Sequence, residues 1–146
     1  MSEKNNFGFS LVELIIVIAI MAVLISVLAP QYLKYVEKSR VVRDEELADE
    51  IRRSCETILS DEDEKLEQGQ YTITITPNAD IAVSGTGVGC NPAHLDACLK
   101  QVLGVNYAKN HLVSKSYSQI QVVFSNTTSP TCNITYVNAG NSTGSN

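Results

Sequence analysis

The sequence predicts an α+β fold: a long N-terminal helix, hydrophobic and then amphipathic, packed on a small antiparallel β-sheet head with a short extra helix. Three observations predict it. Residues 8–30, "GFSLVELIIVIAIMAVLISVLAP", form an apolar run whose one carboxylate is Glu13. Leu47, Ile51, Cys55 and Ile58 then recur at helical spacing among Lys, Arg, Asp and Glu, giving one apolar face. From residue 70 onward, alternating β-branched segments are broken by Pro, Asn and Gly.

The apolar run comes first. At ~1.5 Å per residue, Phe9 to Ala29 makes about 30 Å of helix, enough to span a bilayer. The polar start "MSEKNNFG" carries Lys4, which favours an N-terminus on the cytoplasmic side. A secretory signal would instead have a shorter apolar core followed by a small-residue cleavage site. An ionised acid in a spanning helix costs roughly 2.5–3.5 kcal/mol at mid-span and less near an end, so Glu13 calls for a partner. Pro30 has no N–H for the Ser26 carbonyl and is expected to kink or loosen the turn before it, with helix resuming to about Leu59.

Gly8, Phe9 and Glu13 in "GFSLVELIIVIAI", with Pro30 and "PQYLKYVEKSR" after them, resemble the class III signal of type IV prepilins. The resemblance covers roughly residues 4 to 40 and places the chain in the pilin and pseudopilin superfamily. It implies a cut by a prepilin peptidase between Gly8 and Phe9, and N-methylation of Phe9. It also implies an assembly role for Phe9, Glu13 and Pro30, with Glu13 meeting the Phe9 amine of a neighbouring subunit. An amine buried among apolar helices needs an anion, and a buried carboxylate needs a cation; such a pair serves best to specify register. The implied partners are further copies in a helical filament, the prepilin peptidase, a pilus assembly ATPase and an inner-membrane platform protein. The implied path runs from the cytoplasmic membrane, as precursor, to a pilus on the surface of a bacterium.

The expected organisation is a leader at 1–8, a transmembrane and polymerisation helix at 9–33, and its amphipathic half at 34–60. A β-sheet head follows at 61–138, and a disordered tail at 139–146. In the head, "QYTITIT" reads as a strand ending at Pro77–Asn78, and "ADIAVSG" as a shorter one. "NPAHLDACLKQVLG" reads as a short helix capped by Asn91, entered at Pro92 and closed by Gly104. "YSQIQVVF" and "CNITYV" make an antiparallel hairpin across a long loop, "SNTTSPT". The acidic run 60–64 reads as a solvated turn, without the glycine spacing of a calcium loop.

Cys55, Cys90, Cys98 and Cys132 lack the paired spacing of a zinc site, and an even number in an exported chain predicts two disulfides. If the short helix begins at Pro92, Cys90 and Cys98 stand about two turns apart, roughly 10 Å, whereas a bridge needs Cα atoms within about 7 Å. That sets aside Cys90–Cys98 and, by exclusion, Cys55–Cys132. Cys55–Cys90 with Cys98–Cys132, taken slightly ahead, and Cys55–Cys98 with Cys90–Cys132 remain.

The net charge of −5 argues against a general nucleic-acid binder, and no specific nucleic acid is expected. All 16 acidic residues lie at or before Asp96, after which come only Lys100, Lys109 and Lys115; the acidic middle reads as a solvated surface. No phosphate loop, HExxH or nucleophile–histidine spacing is present, so neither an enzyme nor a metal or cofactor site is expected; His94 reads as a surface residue. Sequons at Asn126, Asn133 and Asn141 arise easily in so Ser/Thr/Asn-rich a region. The function expected is a structural, major subunit of a type IV pilus. The alternatives are a pseudopilin of type II secretion or of a DNA-uptake (competence) machine, and a surface module merely tethered by its helix.

Overall fold

The computed structural model of the chain describes residues 9–61 and 65–140. Its elements are α1 (Leu11–Ser60), β1 (Gly69–Ile75), β2 (Ala82–Thr86), α2 (Pro92–Leu103), a 3-10 turn (Tyr107–Lys109), β3 (Tyr117–Asn126) and β4 (Thr131–Asn138). The chain divides into two units, Met1–Val36 and Glu37–Asn146. In the first, side chains from Leu11 to Tyr35 are all exposed, an arrangement that water does not tolerate for so apolar a helix. An 18-residue window here has mean hydropathy 3.1, long and apolar enough to cross a membrane. Helical assignment continues through Pro30. The Ser26 hydroxyl donates to the Val23 carbonyl at 2.7 Å, so the one polar side chain between Leu14 and Ala29 is satisfied inside its own helix.

The second unit is an antiparallel sheet of order β2-β1-β3-β4. Its core face is built by alternation. Tyr71, Ile73 and Ile75 of β1 and Ile120, Val122 and Phe124 of β3 are fully buried, with Thr72, Thr74, Gln121 and Val123 between them on the other face. Against that face pack Ala48, Ile51, Cys55 and Ile58 of α1 and Leu95, Cys98 and Leu99 of α2, in one cluster. Burying each Val, Leu, Ile or Phe of this set is worth about 1.5–3 kcal/mol, so this shared cluster holds the head together. The Tyr71 and Phe124 rings lie 5.7 Å apart at its centre.

Each expected element is present, with differences at the edges. Asn91 caps α2, accepting from the N–H groups of Ala93 (3.2 Å) and His94 (3.4 Å), and Gly104 ends it at φ +94°. The β3–β4 connection is tighter than the sequence suggests, because pairing extends to Ser125–Thr131 and leaves only residues 127–130 outside the strands. On α1, Ala48 rather than Leu47 is fully buried; the small side chain lets the helix approach the sheet. The expected acidic turn at 60–64 and tail at 139–146 lie in part outside the described residues, as does Gly8.

Candidate functional site

The first helical turn of α1 is built around Glu13. The Leu14 N–H donates to the Ser10 carbonyl at 3.3 Å, which makes Ser10 the residue that opens the helix. The Ser10 N–H in turn donates to Glu13 Oε2 at 3.0 Å. Ser10-Leu11-Val12-Glu13 thus has half of a capping box: a carboxylate three residues in reaches back to a backbone donor that the helix itself leaves unpaired. Negative charge in the first turn also faces the positive end of the helix dipole. Phe9 precedes this turn and is 84% exposed. The carboxylate is therefore aimed toward the end of the helix where Phe9 stands, one residue before the nitrogen it accepts from. Pro30 lies inside the same exposed helix.

The head holds a second carboxylate arrangement that the sequence reading missed. Asp44 is 1% exposed, and its oxygens accept from the Val113 N–H (3.0 and 3.2 Å) and the Ser114 N–H (2.8 Å). Glu37 Oε1 accepts from the Lys115 N–H at 2.6 Å, and Glu45 Oε1 from the Tyr117 hydroxyl at 2.6 Å. Three acids of one helix thus anchor the segment 113–117, which has no strand of its own to pair with before Tyr117. The acidic middle is in part a clamp and not only a solvated face. A signal for it existed: Asp44 extends the buried stripe Ala48, Ile51, Cys55, Ile58 by one helical step.

The clamp has a titration consequence. The hydrogen bond to Glu45, then burial, pushes the Tyr117 hydroxyl from its ordinary 10 up to about 12. Its folded value is raised, so its contribution to stability is fully present below about pH 10 and is lost as pH climbs toward 12. Tyr71, Tyr107 and Tyr136 are raised as well, so the test is the difference between two ultraviolet titrations: in Glu45→Gln one of the late-ionising tyrosines should move down, and an unchanged curve would remove the contact.

Of the remaining residues singled out from the sequence, Cys55 and Cys98 are buried, and Cys90 and Cys132 half-buried. Burial pushes the Cys55 thiol up to about 12, with the Cys132 charge adding to it, and burial likewise carries Cys132 up to about 11. His94 is half-buried, with Nδ1 3.2 Å from Glu67 Oε2, so it ties α2 to the segment before β1. The Asn126 amide donates to the Leu66 carbonyl at 2.7 Å, a bracing role for a residue that heads a sequon.

A family described as the prokaryotic N-terminal methylation motif matches residues 4–29. A probable minor fimbrial protein of Dichelobacter nodosus is 42% identical over 67 residues, covering 46% of this chain and 42% of that protein. A type IV major fimbrial protein FimA of the same organism is 41% identical over 54 residues, covering 37% of this chain and 35% of its own. The N-terminus of the chain carries the methylation motif and is similar to type IV fimbrial proteins. The aligned stretch is less than half the length of these relatives. No solved structure matches the chain. The matched methylation motif contains Gly8, Phe9 and Glu13 and ends one residue before Pro30. What the sequence reading overlooked in this segment is the Ser-x-x-Glu spacing itself, which signals a helix start.

Proposed function

We propose that the chain is a membrane-anchored precursor, cut between Gly8 and Phe9, that assembles as a major subunit of a type IV pilus. The observation that carries this reading is the exposed helix from Leu11 to Tyr35, whose apolar residues 11–29 lie inside the matched N-terminal methylation motif. A face that large needs a bilayer before assembly and the same helices of other copies after it. Cleavage frees an amine on Phe9, and Glu13 supplies the counter-charge to the Phe9 amine of a neighbour, so that subunits enter the filament in one axial register. Pro30, which leaves the Ser26 carbonyl without its helical donor, is where that helix yields during packing. A prepilin peptidase, an assembly ATPase and an inner-membrane platform protein are the partners this path requires. A small head and the presence of Glu13 support a major rather than a minor subunit.

The decisive measurement is the N-terminal residue of the mature protein and its mass, which should be N-methylated Phe9. Gly8→Val should obstruct the peptidase at the backbone and leave full-length precursor in the membrane, read as a slower-accumulating processed band on blots. Normal processing of that variant would remove the cleavage assignment.

A further inference from the structure

Three side-chain contacts and the β3–β4 pairing fix how α1 and the hairpin run past each other within the head. The Tyr117 hydroxyl on Glu45 places the start of β3 beside the middle of α1. The Asn126 amide on the Leu66 carbonyl places the end of β3 beyond the end of α1. So β3 runs in the same sense as α1, and β4, antiparallel to β3, runs back. The Tyr117 and Tyr136 rings lie 5.3 Å apart, which sets Tyr136 of β4 at the level of Glu45.

Distances along the two elements then match. Going back along β4 from Tyr136 to Cys132 covers about 13 Å at ~3.3 Å per residue. Advancing along α1 from Glu45 to Cys55 covers about 15 Å at ~1.5 Å per residue. The two cysteines arrive at the same level. They also face each other: Cys132 is paired with Phe124, which is fully buried, so its side chain is on the core face, and Cys55 is fully buried in the cluster against which Cys132 packs.

We infer that Cys55 and Cys132 form an intrachain disulfide that fastens α1 to the edge strand β4 once the head meets an oxidising compartment. The pairing differs from the two taken from cysteine spacing. Cys90 lies over the β1–β2 half of the same core face, where a methyl added to Gly69 would meet its Cβ at 2.9 Å and one added to Gly85 would collide with its sulfur. From β1 to β4 is two strand spacings, about 10 Å, beyond the roughly 7 Å a bridge allows. Helix α2 does begin at Pro92, so Cys90 and Cys98 stay about two turns apart as well.

The chemistry is thiol–disulfide exchange, and the oxidant is a disulfide donor, small or protein-borne. Cys132, the more exposed sulfur, loses its proton and attacks one sulfur of the donor, expelling the first thiolate. Cys55 loses its proton and attacks the Cys132 sulfur of the mixed disulfide, expelling the second. Two electrons pass to the donor, and the two cysteine protons end on the two thiols released. Burial holds both cysteines as protonated thiols at neutral pH, so the pair waits for such a donor.

Trypsin separates the possibilities, since Cys55 falls in fragment 54–65, Cys90 and Cys98 together in 66–100, and Cys132 in 116–146. The full chain in detergent, incubated with oxidised glutathione and alkylated, should give 54–65 joined to 116–146, released by dithiothreitol. Its thermal midpoint should rise by roughly 10 °C or more on oxidation, a rise absent in Cys132→Ser. A bridge from 66–100 to either other fragment, or four alkylated cysteines after oxidation, would overturn the pairing, and both outcomes are read on the unaltered chain.

Discussion

Glu13→Val is expected to abolish fibres while leaving the precursor inserted and cut. The apolar run becomes continuous, so insertion is easier, and Gly8 with Phe9 is untouched. On the proposed pairing, assembly fails because the Phe9 amine of the adjoining subunit is left without its counter-ion, and breaking one side of a buried pair costs about 3–5 kcal/mol, a hundredfold or more per contact. The Ser10 N–H also loses the carboxylate that caps it. Glu13→Gln separates the two effects. Its amide oxygen still serves the capping position, since Glu and Gln are interchangeable there, but it brings no charge. If charge sets the register, Gln assembles as poorly as Val; if capping is what matters, Gln restores fibres. Each variant is expressed as sole subunit, and membrane and sheared surface fractions are compared. Abundant fibres from Glu13→Val would end the ion-pair reading.

Asp44→Ala is expected to be the most damaging substitution in the head. Two backbone donors, on Val113 and Ser114, lose their acceptor at a site only 1% exposed. Each buried donor left unpaired costs about 1–3 kcal/mol, so a loss of about 2–6 kcal/mol follows for the two, or a thermal midpoint lower by roughly 10 °C or more. Asp44→Asn keeps one acceptor oxygen in the same shape and should recover part of the loss. Thermal unfolding of the full chain in detergent, followed by circular dichroism, decides it. A midpoint unchanged in Asp44→Ala would mean that water replaces the carboxylate and that segment 113–117 is held by other contacts.

Much of this protein was legible from local pattern alone. Alternation in "QYTITIT" and "YSQIQVVF" determines strands with one buried face, because side chains of a pleated chain point to opposite sides. Asn91-Pro92 at one end and Gly104 at the other determine α2, because capping and positive φ are local demands. The apolar run with Gly8, Phe9 and Glu13 determines the match to the N-terminal methylation motif, because an apolar span and a short motif are both written in consecutive residues.

Pairwise burial at long range was decided only by the tertiary structure. Asp44 looks like any acid of a charged helix until a segment about 70 residues away brings it two N–H groups. The bulge between Tyr117 and Gln119 turns Tyr117 onto the core side, where it meets Glu45 and Tyr136; no local pattern announces that turn. The level at which Cys132 passes α1 follows from strand order and register. Both depend on which face of each element wins burial, a competition among distant residues that sequence spacing does not encode.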